Sequence, residues 1–499
     1  MTATSLADLV ANPYAKKKYL VTVKPYDVAN TTRLTLYYSG EGFVSGPSDS
    51  PANTLFDARL VEPISFSRSM FSSGKVGGFS APGFGQLVLT NADGGLDDWA
   101  GYAWDGAEVI VKVGEAGAAL QYYFTIFTGQ AKSIEFDDLS VSVILRDQQA
   151  TFDVDFPSAL YAGSGGVEGS ANLTGAPKPL CFGQVYNIEP VLVDATNRIY
   201  QVHTGQIEAI NTVYQGGVAL ATSAYSADLT NGRFTLDSAP DDVITADAQG
   251  AKPGGSYKST VADIINHIVV THTALSSGDL VSATFSALNT ANSSVVGIYV
   301  ATSTTMLDVL DQLINTVGGF YGFNREGKFE VGQIILATGT AAAEFDATTI
   351  IELTRLASAV PNYQARVEYK HNYRIFTEAE FGDSVTTAQR DYLVRPALVA
   401  VSTDTAIQTP YPNSDPLIVP SLFSTSANAA TEAARLLTLY KTQREIYRIL
   451  VKSQPYTLKL NDVVKVTFGR YNLASGKLFR LVGIVETAAT NEIELELWG

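Results

Sequence analysis

Along the stretch Ser426–Gly499, apolar residues recur first at helical spacing and then in the alternation of strands. Ala429, Ala433, Leu436, Leu437 and Tyr440 fall three and four apart, which predicts a helix with Ser426 as its N-cap. Glu445–Lys452, Asp462–Phe468, Lys477–Val485 and Glu492–Trp498 follow, each of strand length and each bounded by turn residues. In the last of these, Ile493, Leu495 and Leu497 alternate with Glu494 and Glu496, so one face is dry and the other wet. A helix lying against such short antiparallel strands predicts a small closed barrel or sandwich.

The first part of the chain is patterned for strands as well. Tyr19–Val23, Arg33–Tyr38, Leu87–Asn91, Val109–Val113, Tyr122–Phe127 and Leu139–Leu145 are β-branched and aromatic runs separated by Gly, Asp and Ser. In the clearest, Leu139, Val141, Val143 and Leu145 face inward, while Ser140 and Ser142 face out. Ser65–Gly85, rich in Ser and Gly, reads as a long loop of the kind that is functional or ordered by a partner.

From Gln148 to Gln249 the chain is turn-rich with short strands, and around Gly250 its character changes. Thr260, with Asp263 completing a capping box, starts a helix carrying Val261, Ile264, Ile265 and Ile268. Thr305 and Asp308 start another, carrying Met306, Leu310, Leu313 and Val317 and stopped by Gly318-Gly319. Phe320–Val331 then reads as a hairpin turning at Asn324–Gly327. Strands return at Ile351, with Ala365, Val367 and Tyr369 alternating against Arg366, Glu368 and Lys370. A helix over Ser384–Leu393 and a Pro-rich loop over Thr409–Pro420 lead to the C-terminal unit. The predicted fold is mainly β with an α+β insert, in four parts: 1–150, 151–249, 250–340 and 341–499.

Length and composition agree with this division. A chain of 499 residues is too long for one core, and about three or four domains are expected. Hydrophobic residues make up 46% of it, which excludes disorder, while charged residues make up only 17%, below the usual quarter or so. Low charge with 25 tyrosines suits surfaces that are covered by partners. A net charge of −16 repels the nucleic-acid backbone, and the longest basic run, Lys16-Lys17-Lys18, reads as a solvated turn before the first strand. No secretory signal pattern is visible in Met1–Thr22, and no stretch reaches the roughly 18 apolar residues of a membrane span. The single cysteine, Cys181, excludes an intramolecular disulfide, and folding in a cytoplasm is expected.

Candidate chemistry is sparse. Gly163–Gly169 lacks the Gly-Lys-Ser/Thr ending of a phosphate loop and reads as a flexible loop. His267 and His272 are five apart, not four, so they do not form the helical pair of a zinc site. Cys181 and His203 are the candidates for a thiol–imidazole pair, but Cys181 lies between Leu180 and Phe182 in an apparent strand, where a buried inert thiol is expected. Asp97-Asp98, Asp137-Asp138 and Asp241-Asp242 are the candidate carboxylate pairs for glycosidase work or a turn-bound calcium, and each sits where Asp is an ordinary turn residue. Trp99 and Trp104 are the best candidates for a saccharide-binding surface, against the plainer reading of a turn packed on its own barrel. No catalytic, cofactor-binding or metal-binding residue is assigned.

Several segments carry a resemblance. They are Ile244–Gly250, Thr304–Gly332, Leu460–Thr467 and Glu494–Gly499, joined by Leu87–Gly94 and Gly175–Leu180 in the first half. In their order the chain resembles the baseplate hub or tail-tip protein of tailed bacteriophages and of related gene transfer agents. The resemblance implies a homotrimer in which each subunit contributes two tube-like β-barrels, so that a threefold hub meets a sixfold tail tube. It implies a non-enzymatic structural role in the virion, assembled in a bacterial cytoplasm. The implied partners are its own copies, the distal tail protein, the tape measure protein and tail fibre or tip proteins. DNA would pass through an acidic lumen without specific binding. Some relatives carry a peptidase or lysozyme domain after the hub; this chain stops on the hub-like strand, so that activity is expected elsewhere. The other readings are a distal tail ring protein and a polysaccharide-binding or polysaccharide-degrading tail protein.

Overall fold

Alternating apolar residues build one extensive sheet that takes strands from both ends of the chain. The computed structural model describes residues 3–12, 14–71, 80–452 and 456–499. In hydrogen-bonded order this sheet runs Ile350–Leu356, Ile446–Lys452, Glu492–Trp498, Lys477–Thr487, Leu60–Ser69, Phe84–Thr90 and Ser140–Arg146. It continues through Phe124–Phe136, Tyr102–Glu115 and Lys17–Asp27 to Leu36–Ser39, Leu55–Ala58 and Phe43–Val44. The fold is mainly β and multi-domain, as expected, but among the described residues no sheet closes into a barrel. The N- and C-terminal β units instead share a ladder, Ser65–Ser69 running antiparallel to Gly483–Thr487.

That ladder corrects the reading of Ser65–Gly85 as one loop. Its start completes the strand Leu60–Ser69, and Phe84 and Gly85 open the next strand. Residues 72–79 lie outside the described residues.

Each β unit has its own core. Val21, Val23, Leu87, Leu89, Val109, Val111, Val141 and Val143 fill the first. Tyr447, Ile449, Phe479, Leu481, Ile493, Leu495 and Leu497 fill the second. Leu139 was expected to face inward with Val141 and Val143, yet it is 65% exposed, because the strand begins one residue later. The basic run is not a solvated turn. Lys17 and Lys18 open the strand Lys17–Asp27, Lys16 and Lys18 pair with Glu41, and Lys17 Nζ donates to Asn491 Oδ1 at 3.1 Å.

The insert packs around the helices Val261–His272, Ser282–Ala291 and Met306–Thr316 and the hairpin Gly319–Phe323/Phe329–Gln333. The Thr305–Asp308 capping box forms as expected. Thr260 also caps its helix, but Asp263 does not reciprocate; its Oδ1 accepts from Asn289 Nδ2 at 3.0 Å. Ser282–Ala291 carries little helical signal in its sequence, because it is rich in small polar residues and its N-cap, Val281, has no capping side chain.

The helix Ser426–Tyr440 departs from expectation twice. Its N-cap is Thr425, whose side chain accepts from Asn428 N, and Ser426 is already helical. It does not lie on the C-terminal strands either. Ala429, Ala433, Leu436 and Leu437 enter the core of the insert beside Leu313, Val331, Ala365 and Val367. Alanine at 429 and 433 permits close approach to Gln364–Tyr369 and Leu398–Thr403, two members of a three-stranded sheet completed by Pro416–Phe423. The end of the helix, Leu439 and Tyr440, reaches Trp498 and Val482 of the C-terminal unit.

Candidate functional site: a buried ionic junction

Three segments far apart in sequence meet where the insert touches the shared ladder. Arg68 comes from the strand Leu60–Ser69, Glu486 from Lys477–Thr487, and Arg325 from the turn of the hairpin. The hairpin turns here because Asn324 accepts from the backbone of Glu326 and Lys328, while Gly327 takes φ +73°, a conformation that costs glycine nothing.

Glu486 is buried, and its Oε1 pairs with both guanidinium groups, with Arg68 Nη2 at 3.3 Å. Arg325 also donates from Nη2 to the carbonyl of Leu458 at 3.3 Å and stacks on the Tyr456 ring, 5.7 Å from its centroid. Tyr456 in turn shares a 3.0 Å hydroxyl contact with Tyr19 of the first unit. A cavity of about 10 Å3 beside these groups has room for roughly one water.

Two more buried carboxylates stand close by. Asp147 accepts from the backbone of Gly83 at 2.6 Å and Gln149 at 2.9 Å, yet burial outweighs these bonds and pushes it up to about 6. Asp311 accepts from Tyr321 Oη at 2.9 Å and is likewise pushed up to about 6 by burial. Tyr321 N donates to Ser80 Oγ at 3.0 Å, tying the hairpin to the segment before the strand Phe84–Thr90. This arrangement fastens the insert to both β units through groups that are costly to bury unpaired. Nothing in the spacing of Arg68, Arg325 and Glu486 announces it in the sequence.

The residues singled out from sequence are placed as follows. Trp99 and Trp104 are both buried, with rings 4.6 Å apart and Trp104 Nε1 donating to the carbonyl of Trp99, so they form no exposed platform. Asp97 accepts from Asn91, and Asp137 accepts from the backbone of Leu139 and Ser140; both are turn-closing residues. Asp241 and Asp242 lie exposed in a bend. Among the described residues no group of three His, Cys, Asp or Glu is placed to hold a metal. Gly163–Gly169 closes on itself, Gly165 N donating to Gly169 O at 2.7 Å, and Glu168 pairs with Lys178.

Cys181 and His203 are brought together, though not as a catalytic pair. His203 Nδ1 accepts from the backbone N–H of Cys181 at 2.9 Å, and burial pushes the thiol well up. His267 and His272 line one cavity with His203 despite their spacing of five.

A separate apolar groove of about 1140 Å3 runs between the insert and the C-terminal unit, lined by Gln312 and Gly319 on one side and by Leu356, Ile418, Tyr440 and Trp498 on the other. Val399, Val401 and Ile418 are exposed on the adjoining three-stranded sheet. Among the described residues no helix is long and apolar enough to cross a membrane.

No family model and no curated protein matches the chain. Solved structures do. The chain is similar to the tail protein from Neisseria meningitidis MC58, at 11% identity and a TM-score of 0.39, covering 96% of each chain. It is similar to the 43 kDa tail protein of prophage MuSo2 from Shewanella oneidensis, at 11% identity and TM-score 0.38, covering 96% of this chain and 98% of that one. A chain of a gene transfer agent virion is similar at 14% identity and TM-score 0.40, over 65% of this chain and 84% of that one. Its structural neighbours are tail and virion proteins.

Proposed function

We propose that the chain is a structural hub subunit of a phage-type tail tip, three copies forming a ring that extends and closes the tail tube. The observation that carries this reading is the shared ladder between Ser65–Ser69 and Gly483–Thr487. It holds the two β units of one chain side by side, as a subunit must that gives two neighbouring segments to one ring. The insert is clamped against both units at Glu486.

The apolar groove and the exposed Val399, Val401 and Ile418 support a surface made for partners. The partners of this reading are the other copies, the distal tail protein, the tape measure protein and fibre or tip proteins. A net charge of −16 suits a passage through which DNA slides without adhering. The role is mechanical rather than enzymatic, and its place is the virion tail tip. The polysaccharide-binding alternative loses its candidate surface, since Trp99 and Trp104 are core residues.

Light scattering across a concentration series tests the reading. A mass near three times 53.3 kDa and a threefold ring by electron microscopy are expected. A stable hexamer would replace it with the distal ring, and a strict monomer that clears polysaccharide would sink it.

A further inference from the structure

The cavity shared by three of the four histidines has a chemistry that the hub reading does not use. It measures about 280 Å3 and lies among the strand Leu180–Ile188, the loop after Ile199–Gln201 and the helix Val261–His272. His203, His267 and His272 line it with Ser158, Thr204 and Gln206, and among the described residues no carboxylate lines it, in a chain with 50 acidic residues.

The state of His203 follows from geometry. His203 is 5% exposed, and its Nδ1 accepts the Cys181 N–H, so the proton of the neutral imidazole sits on Nε2. Nε2 has no hydrogen-bond partner among the described residues and faces Gly205, where a Cβ would stand 3.7 Å away. Phe182 is edge-on to His203 at 5.8 Å and to His267 at 5.9 Å, which holds both rings. A nitrogen that carries its proton in this tautomer cannot ligate a metal through its lone pair, but it can donate to an acceptor.

We propose that this cavity binds a small oxyanion, a phosphate or carboxylate group, with His203 Nε2–H as the fixed donor and His267 and His272 beside it. The empty cavity is neutral. Burial, together with the neighbouring His267 and His272, pushes His203 down to about 3. Burial, His272 and Lys258 push His267 down to about 4, and burial lowers His272. An anion supplies the counter-charge that these groups lack, so binding draws in a proton and tightens as pH falls. A volume just under the range of ordinary ligand pockets, about 300–1000 Å3, limits the guest to a small group.

Inorganic phosphate, titrated into the full chain at constant ionic strength with ring-labelled histidines, tests this directly. The signals of His203, His267 and His272 should move saturably with a Kd on the order of 1–10 mM. His371, which lines the apolar groove instead, should stay still and report an intact fold. One proton taken up makes binding about tenfold tighter per pH unit. His267→Gln and His272→Gln should each weaken it about tenfold with the His371 signal unchanged. No saturable movement by about 50 mM, equal movement of all four signals, or the same movement with glycerol would overturn the proposal.

Discussion

Arg325, at the turn of the insert's hairpin, pairs with Glu486 on a strand of the C-terminal unit, and the same carboxylate oxygen also meets Arg68 of the first unit. One buried acid is therefore shared by two buried guanidinium groups, and Glu330 and Asp147 act on Arg68 as well. Glu486→Gln should cost about 3–5 kcal/mol, because both arginines stay buried and lose the carboxylate they share. Glu494→Gln, which breaks the exposed pair with Arg448, should stay within about 1 kcal/mol. Urea unfolding of the two variants beside the wild type checks the contrast, and equal losses would mean that the junction is not special.

The raised carboxyl of Asp311 links stability to pH with a definite sign. Its folded value of about 6 lies above the ordinary 3.8, so its favourable contribution is fully present below 3.8 and is lost as pH rises through 6. Asp311→Asn mimics the protonated form and can still accept from Tyr321. The melting temperature of the variant relative to wild type should therefore rise between pH 4.5 and 7.5. A flat difference would show that the carboxyl titrates normally.

Capping geometry predicts which threonines matter. Thr305→Ala and Thr425→Ala should each cost about 1 kcal/mol, since each side chain accepts a backbone N–H at a helix start. Ser426→Ala should change stability by no more than about 0.5 kcal/mol, because Ser426 already lies inside the helix. Chemical denaturation separates these values.

All three tryptophans are buried, Trp99 at 3%, Trp104 at 5% and Trp498 at 3% exposure. Fluorescence should be blue-shifted and resist iodide quenching until the chain unfolds. Bacterial polysaccharide should leave it unchanged, whereas saturable quenching by polysaccharide would restore the saccharide-binding alternative.

Cys181 should be inert to thiol reagents in the folded chain, because the thiol is fully buried and held well above its ordinary range. Reaction in step with global unfolding is expected, and fast labelling of native protein would contradict the placement of that strand.

Local patterns in the chain were enough where periodicity or capping was strong. Alternation marked Ile493, Leu495 and Leu497 as a buried face, the Thr305–Asp308 box marked a helix start, and Asn324–Gly327 marked a hairpin turn. Each depends on residues within a turn or two of one another, whose steric and hydrogen-bonding preferences act without the rest of the fold. The ladder between Ser65–Ser69 and Gly483–Thr487 was not legible, because strand pairing depends on facing edges and Ser-rich composition hides an edge. The same holds for the helix Ser426–Tyr440. Its periodicity defined an apolar face, but an apolar face does not name its partner, and the insert covered it where the neighbouring strands were expected to. The junction of Arg68, Arg325 and Glu486 and the cavity of His203, His267 and His272 belong wholly to the tertiary level. The sequence by itself determined the strongly periodic and capped elements; packing decided which of them meet, and made strands of Ser65–Ser69, Lys17-Lys18 and Pro416–Phe423, because burial rewards any complementary apolar surface while a buried charge is stable only where its partner stands.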